Sequence, residues 1–180
     1  GKRRICFTSP TGAGKSAVLS EVIKDRVFHG QRCVLYSNRR LLTEQLMGQL
    51  SRDGISFGVR AAEYEEHVDD SAPVQLCSIQ TDQKRVIEKR RKAGFGNDEI
   101  GRRQFSLAPA DLVILDEAHL QKGPTACGIV NEYHDSGAAI LGVTATPLGV
   151  SHVYDDLIIA GNNSELRGCG ALLPAYVYSC

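Results

Sequence analysis

The sequence predicts an α/β fold with a mostly parallel central sheet and helices on both of its faces. Several short runs are continuously apolar, which is typical of parallel strands that are covered on both sides. These runs alternate with longer amphipathic stretches, which is the pattern of strand–helix–strand units. A single apolar face per strand, as in a half-exposed antiparallel sheet, would give strict alternation instead.

The predicted elements follow one another at short intervals along the chain. The predicted strands are residues 4–8, 33–37, 55–59, 74–78, 112–115 and 139–143. A helix is predicted over residues 15–28, where apolar residues recur on one helical stripe. A second helix is predicted over 39–50, where Leu42, Leu46 and Leu50 recur every four residues.

Composition limits the chain to one well-buried domain. Its 180 residues are 42% hydrophobic and 23% charged, and 21 basic residues balance 21 acidic ones. Zero net charge neither requires nor excludes a nucleic-acid partner, because binding depends on where the charges lie. The domain is expected to span residues 1–180 of a longer protein, since Gly1 stands almost directly before the first strand.

The cysteine pattern indicates a reducing compartment, and the absence of long apolar segments argues against a membrane span. The six cysteines form no Cys-x-x-Cys pair, and several lie inside apolar runs, so buried free thiols are expected. The sequence contains no signal peptide and no apolar stretch of membrane-spanning length. We therefore expect a cytoplasmic protein without a membrane partner, or one in the host cytoplasm if it comes from a phage.

A phosphate-binding loop is predicted between the first strand and the first helix. Residues 9–16 read Ser-Pro-Thr-Gly-Ala-Gly-Lys-Ser. The glycines allow backbone N–H groups to turn towards phosphate oxygens, and the positive end of the helix dipole lies at the same place. Ser9 replaces the usual first glycine, and a turn that binds nothing is the alternative. The residues expected to bind ATP are Pro10, Thr11, Gly12, Ala13, Gly14, Lys15 and Ser16.

A pair of carboxylates ends the apolar run at 112–115. Asp116 is expected to hold Mg²⁺ together with the hydroxyl of Ser16, and Glu117 to polarise the attacking water. An acidic pair after a strand is often only a solvated strand end. Its occurrence downstream of a phosphate-binding loop favours the catalytic interpretation. His119 becomes a candidate because it stands directly after Asp116-Glu117-Ala118.

These motifs resemble those of superfamily 2 helicases and translocases, in the Asp-Glu-Ala-His branch. Residues 9–16 resemble motif I, residues 116–119 resemble motif II, and the Thr-Ala-Thr-Pro string at 144–147 is similar to motif III. The resemblance implies the first RecA-like P-loop NTPase domain, with ATP and Mg²⁺ as ligands. It also implies that Thr144 and Thr146 couple the nucleotide state to the nucleic-acid track, and that the motif III strand lies between those of motifs I and II.

Two further strings resemble nucleic-acid-contacting motifs of the same family. The segment 37–45 resembles motif Ia, where Arg39 and Arg40 could bind phosphate beside a helix N-terminus. Ser78-Ile79-Gln80-Thr81 resembles motif Ic, with Gln80 and Thr81 as backbone contacts. Polar helix caps are the alternative for both strings.

The resemblance extends to RadD-like repair helicases, phage helicases and type III restriction motor subunits. It implies an ATP-dependent helicase or translocase that acts on DNA rather than RNA. The alternatives are a restriction-enzyme motor subunit and a nucleotide-gated binding module without turnover. The family also implies a second RecA-like domain, reached through a strand at 172–178 and a linker beginning at 171–180. The chain alone is expected to hydrolyse ATP poorly.

A basic segment at 84–92 allows two interpretations. Its lysines and arginines could follow a nucleic-acid backbone, or they could form the solvated face of a helix that carries Glu88 as well. The sequence does not decide between the two.

Overall fold

The computed structural model describes residues 4–95, 99–120 and 123–170, and its centre is a sheet of seven parallel strands. The strand order is β3-β4-β2-β5-β6-β1-β7, and every pair of neighbours is parallel. This confirms the predicted fold class. The strands are β1 (Arg4–Thr8), β2 (Cys33–Tyr36), β3 (Phe57–Arg60), β4 (Val74–Cys77), β5 (Leu112–Asp116), β6 (Ala139–Thr144) and β7 (Asp156–Ile159).

Seven α-helices connect and follow the strands in the described part of the chain. They are α1 (Lys15–Phe28), α2 (Arg40–Arg52), α3 (Ile79–Asp82), α4 (Glu88–Lys92), α5 (Glu99–Gln104), α6 (Pro124–Ser136) and α7 (Asn163–Gly168). A π-helical turn, Gln83–Ile87, joins α3 to α4, and short 3-10 turns lie at Glu65–His67 and Ala118–Leu120. Within the described ranges, none of these helices has the length and apolarity needed to cross a bilayer.

Both faces of the sheet are covered, as the continuous apolar runs predicted. All four residues of β2 are buried, and successive side chains point to opposite faces. Cys33 and Leu35 belong to a core cluster with buried leucines of α1 and α2. Val34 and Tyr36 belong to a second cluster with the buried face of α6. The helices therefore stabilise the sheet from two sides, which leaves its carboxyl edge to carry the polar site residues.

The predicted strand positions agree with the structure to within one or two residues. The third strand shows the largest difference, since it runs over Phe57–Arg60 rather than 55–59. Ile55 instead closes the turn after α2, where its N–H donates to the Leu50 carbonyl at 2.9 Å. The expected place of the motif III strand is confirmed, because β6 pairs with β1 on one side and β5 on the other. The strand expected at 172–178 and the linker at 171–180 lie outside the described residues.

The basic segment contains a structural ion pair. Arg90 is 1% exposed, and its guanidinium donates two hydrogen bonds to the Glu132 carboxylate, at 2.6 and 2.7 Å. Its Nε also donates to the Phe105 carbonyl at 2.8 Å. Lys89 and Arg91 on the same helix are exposed. Arg90 is therefore neither a nucleic-acid contact nor part of a solvated helix face, because its ion pair joins α4 to α6 inside the protein.

Replacement of Glu132 by alanine is expected to destabilise the domain strongly. The Arg90 guanidinium would keep its buried position without the carboxylate that compensates its charge, which costs about 3 kcal/mol or more of the free energy of unfolding. Urea denaturation followed by circular dichroism measures this change. Glu21→Ala, at an exposed ion pair on α1, is the control and should change stability far less. An equal effect of both substitutions would contradict the role of the buried pair.

Candidate nucleotide and nucleic-acid sites

The candidate site residues meet because neighbouring parallel strands end at the same edge of the sheet. In the strand register, Tyr36 is opposite Leu115, Asp116 is opposite Val143, and Thr8 is opposite Thr144. The segments that follow β1, β2, β5 and β6 therefore start side by side. The phosphate-binding loop, motif Ia, motif II and motif III are brought together at this edge.

The loop between β1 and α1 has the backbone that a phosphate cradle requires. Gly12 and Gly14 have φ angles of 83° and 80°, in the left-handed region that favours glycine. Gly14 is the N-cap of α1, so the positive end of a 14-residue helix faces the loop. The N–H of Ser9 donates to the Thr144 carbonyl at 3.3 Å, which ties the start of the loop to motif III.

Lys15 lies folded over the loop and close to the two motif II carboxylates. Its ammonium group donates to the carbonyl oxygens of Ser9 and Pro10, each at 3.0 Å. Burial lowers the pKa of Lys15, while the negative charges of Glu117 and Asp116 oppose that shift. A terminal phosphate in the loop would offer this ammonium group a charged acceptor in place of two neutral carbonyls.

Asp116 ends β5 as a buried carboxylate held by a neighbouring strand end. It is 6% exposed, and the Ser37 hydroxyl donates to its Oδ2 at 3.3 Å. Burial raises the pKa of Asp116, and the charge of Glu117 raises it further. A divalent cation at this position would relieve both unfavourable effects.

The donor atoms here fit Mg²⁺ bound together with a nucleotide. The described residues contain no group of three or more His, Cys, Asp or Glu side chains that could hold a metal by themselves. Mg²⁺ prefers oxygen ligands and usually combines one or two carboxylates with substrate phosphates and water. Asp116 and the hydroxyl of Ser16 supply protein oxygens of that kind.

Glu117 has an unusual backbone and two close side-chain neighbours, Arg39 and His119. Among the described non-glycine residues it alone has a positive φ, 48°, a conformation that costs of order 1 kcal/mol and is concentrated at functional sites. Its Oε1 contacts the Arg39 guanidinium in an ion pair. Its Oε2 lies 3.3 Å from Nδ1 of His119. The carboxylate is therefore held at the mouth of the site, with its side chain only 9% exposed.

His119 connects motif II to motif III. Its Nδ1 lies 2.7 Å from Oγ1 of Thr144, which is fully buried at the end of β6. The same Oγ1 accepts the Thr146 N–H at 3.0 Å, and the Thr146 side chain is exposed. A displacement of the motif II turn would thus act directly on the motif III backbone.

The predicted nucleic-acid contacts line a single groove of about 330 Å³ beside the nucleotide site. Arg40 is exposed there and pairs with Glu44 at 2.9 Å and with Glu63 at 3.5 Å. Gln80 is exposed, whereas Thr81 is only 8% exposed. The groove is lined by Arg39, Arg40, Gln80, Thr81, Tyr64 and Lys84, among others.

Two features of the site were not predicted from the sequence. Ser37 was assigned only to the motif Ia string, yet its hydroxyl holds Asp116 and accepts the Arg39 N–H at 3.0 Å. Arg39 was assigned to nucleic acid, yet it pairs with Glu117. The signal that could have revealed both is the adjacency of β2 and β5, which places the residues after Tyr36 next to those after Leu115.

The parallel sheet, with these motifs gathered at its carboxyl edge, has the RecA-like fold of solved helicase domains. The family model described as the res subunit of type III restriction enzymes matches residues 1–149, which is more than half of the chain. The chain belongs to this family. No curated protein matches the sequence.

Solved structures of two helicases and of a SWI2/SNF2 ATPase core share the fold. The Hef helicase domain of Pyrococcus furiosus superposes with a TM-score of 0.63 at 21% identity and covers 91% of this chain and 36% of its own. The UvsW helicase of bacteriophage T4 superposes with a TM-score of 0.64 at 16% identity and covers 88% of this chain and 54% of its own. The SWI2/SNF2 ATPase core of Sulfolobus solfataricus was solved with dsDNA. It superposes with a TM-score of 0.55 at 15% identity and covers 81% of this chain and 28% of its own. The chain thus spans roughly a quarter to a half of these proteins.

Proposed function

We propose that this chain is the nucleotide-binding half of a motor that uses ATP and Mg²⁺ to move along or unwind DNA. The observation that carries the proposal is the meeting of Lys15, Asp116 and Glu117 at one sheet edge, directly beside the groove that carries Arg39 and Arg40. A phosphate-handling centre and a basic groove in contact with each other are what coupling of hydrolysis to a nucleic-acid track requires.

The side chains have distinct roles in this proposal. Backbone N–H groups of the loop and the Lys15 ammonium would neutralise the β- and γ-phosphates. Ser16 and Asp116 would hold Mg²⁺, which supplies further neutralisation of charge on the transferred group when bound. Glu117 would take the proton of the attacking water as the bond between the γ-phosphorus and ADP breaks. His119, Thr144 and Thr146 would pass the change at motif II to motif III.

The partners are proposed by analogy with the structural neighbours and the family. The SWI2/SNF2 core was solved with dsDNA, and this supports DNA as the track. A second RecA-like domain would close over the nucleotide, because the chain spans only part of each neighbour. The family match also favours a second candidate function, the motor subunit of a restriction enzyme, in which the same translocation serves a separate nuclease.

The experiment is a comparison of steady-state ATP hydrolysis by the protein with both motor domains, in the presence of single-stranded DNA, duplex DNA or RNA. We expect DNA to stimulate hydrolysis several times more than RNA, and the stimulation to fall steeply with salt because phosphate contacts release counterions. Asp116→Asn, which lacks the proposed Mg²⁺ ligand, is the matched control for contaminating ATPase activity. ATP binding without turnover under every condition would favour the nucleotide-gated binding module instead.

A further inference from the structure

The ion pair between Arg39 and Glu117 joins the two halves of the proposed function. Arg39 stands directly before α2, in the groove assigned to nucleic acid, and Glu117 is the residue assigned to the attacking water. Their side chains nevertheless contact each other, through Nη2 of Arg39 and Oε1 of Glu117. One guanidinium is therefore shared between the groove and the catalytic carboxylate.

The ion pair with Arg39 engages the Glu117 carboxylate, which is the group proposed to take the proton of the attacking water. Oε1 of Glu117 forms the ion pair with Nη2 of Arg39, and Oε2 lies 3.3 Å from Nδ1 of His119. A carboxylate oxygen engaged by a guanidinium is a poorer acceptor for a water proton, because its charge is already neutralised by a strong donor. While Arg39 is paired with Glu117, this carboxylate is poorly placed to accept a proton from the attacking water.

The backbone of Arg39 is held by hydrogen bonds, while its exposed side chain can reach either Glu117 or an anion in the groove. Its N–H donates to Ser37 Oγ at 3.0 Å, and its carbonyl accepts from the Thr43 N–H at 3.1 Å. The side chain, by contrast, is 60% exposed. A long, exposed side chain on a fixed backbone can turn from one acceptor to another without changing the fold.

A nucleic-acid phosphate is the competitor that this position fits. Arg39 lines the groove together with Lys84 and with Arg40, whose charge is already paired with Glu44 and Glu63. A phosphodiester held there therefore lies beside Arg39 and Lys84 as its cationic neighbours without a carboxylate of their own among the described groove residues. Phosphate accepts from guanidinium in the same bidentate manner as carboxylate does. The two anions therefore compete for one donor, and occupation of the groove releases Glu117.

We propose that Arg39 is an autoinhibitory latch: it withholds Glu117 from the attacking water in the absence of nucleic acid and releases it when a backbone phosphate enters the groove. This inference rests on the proposed function, because it requires Glu117 to act on the water. It goes further by stating how the track controls the rate of hydrolysis.

The test is the rate of ATP hydrolysis by the protein with both motor domains, without and with saturating single-stranded DNA, for the parent, Arg39→Gln and Arg39→Lys. Arg39→Gln removes the charge that holds Glu117, so we expect the rate without DNA to rise about three- to fivefold, as loss of a partly exposed ion pair allows. The factor by which DNA stimulates hydrolysis should fall accordingly. Arg39→Lys keeps a cation beside Glu117 and should lie closer to the parent.

The control is Arg52→Gln, which removes an exposed arginine from the far end of α2, where it donates to Gln49 at 2.8 Å. This variant should keep the parent rate without DNA. If Arg39→Gln keeps or lowers that rate, and only requires more DNA for half-maximal stimulation, Arg39 is an ordinary phosphate contact and the latch is wrong. If hydrolysis survives Lys15→Ala, the proposed function itself has failed. The two failures are therefore distinguishable.

Discussion

Substitution of Lys15 by alanine is expected to lower both nucleotide affinity and turnover by roughly two orders of magnitude or more, the amount that loss of a charged donor to the phosphates costs. Lys15 is the cationic side chain that reaches over the loop between β1 and α1, where it now donates to the Ser9 and Pro10 carbonyls. Alanine leaves the loop backbone intact but removes the charge that would neutralise the β- and γ-phosphates. Binding of a fluorescent ATP analogue and steady-state hydrolysis measure the two losses separately.

Lys24→Ala is the matched control for the Lys15 substitution. It removes a lysine from the same helix, where the side chain pairs with Glu21 and Asp53 away from the loop. Nucleotide binding should be unchanged in this variant, and thermal unfolding should show that both variants fold. DNA-stimulated hydrolysis that persists in Lys15→Ala would overturn the assignment of residues 9–16 to phosphate.

The central strands could be predicted because burial on both faces leaves a strong sequence signal. All residues of β2 and β4 are buried; the sequence of β2 is an uninterrupted apolar run, and that of β4 is interrupted only by Gln75. β7 was missed for the opposite reason. It is a four-residue edge strand whose Leu157, Ile158 and Ile159 remain partly exposed, so its position depends on pairing with β1 rather than on its own pattern.

Long-range pairing explains why the basic segment was misjudged at Arg90. Its partner, Glu132, lies 42 residues further along the chain, on a helix that was not predicted. A local pattern of lysines and arginines contains no information about such a partner. Burial of one charged side chain among exposed neighbours is decided by tertiary packing, which a charge count does not describe.

The proposed ATP site was more accessible to sequence reasoning than the groove. Each of its motifs follows a strongly apolar strand, and parallel strands bring their carboxyl ends to one edge, so proximity of Lys15 and Asp116 followed from strand order. The contacts of Arg39 and Thr81 could not be predicted from the order of the strands. Whether a polar residue at a helix start points into a groove or towards a neighbouring strand end depends on rotamers and on the exact register.

Substitution of Glu117 by glutamine is expected to lower ATP hydrolysis by about 100-fold or more while leaving ATP affinity nearly unchanged, since a positioned base contributes factors of that size to the chemical step. Glutamine keeps the shape of the side chain and its amide can still lie against Arg39, so the fold should be retained. It cannot take a proton from water. Rapid-quench measurement of a single turnover, together with equilibrium ATP binding, separates the two effects. Glu66→Gln, at an exposed position, is the control.

The same substitution also changes how tightly the groove should hold nucleic acid. In the proposed latch, Glu117 and a phosphate in the groove compete for the Arg39 guanidinium, and competition of this kind is reciprocal in free energy. Removal of the carboxylate charge in Glu117→Gln should therefore strengthen binding of single-stranded DNA by a few-fold, even as hydrolysis stops. Fluorescence anisotropy with labelled DNA measures this without relying on turnover. Normal turnover would exclude Glu117 as the base, whereas lost turnover with unchanged DNA affinity would leave the base assignment standing and contradict the latch.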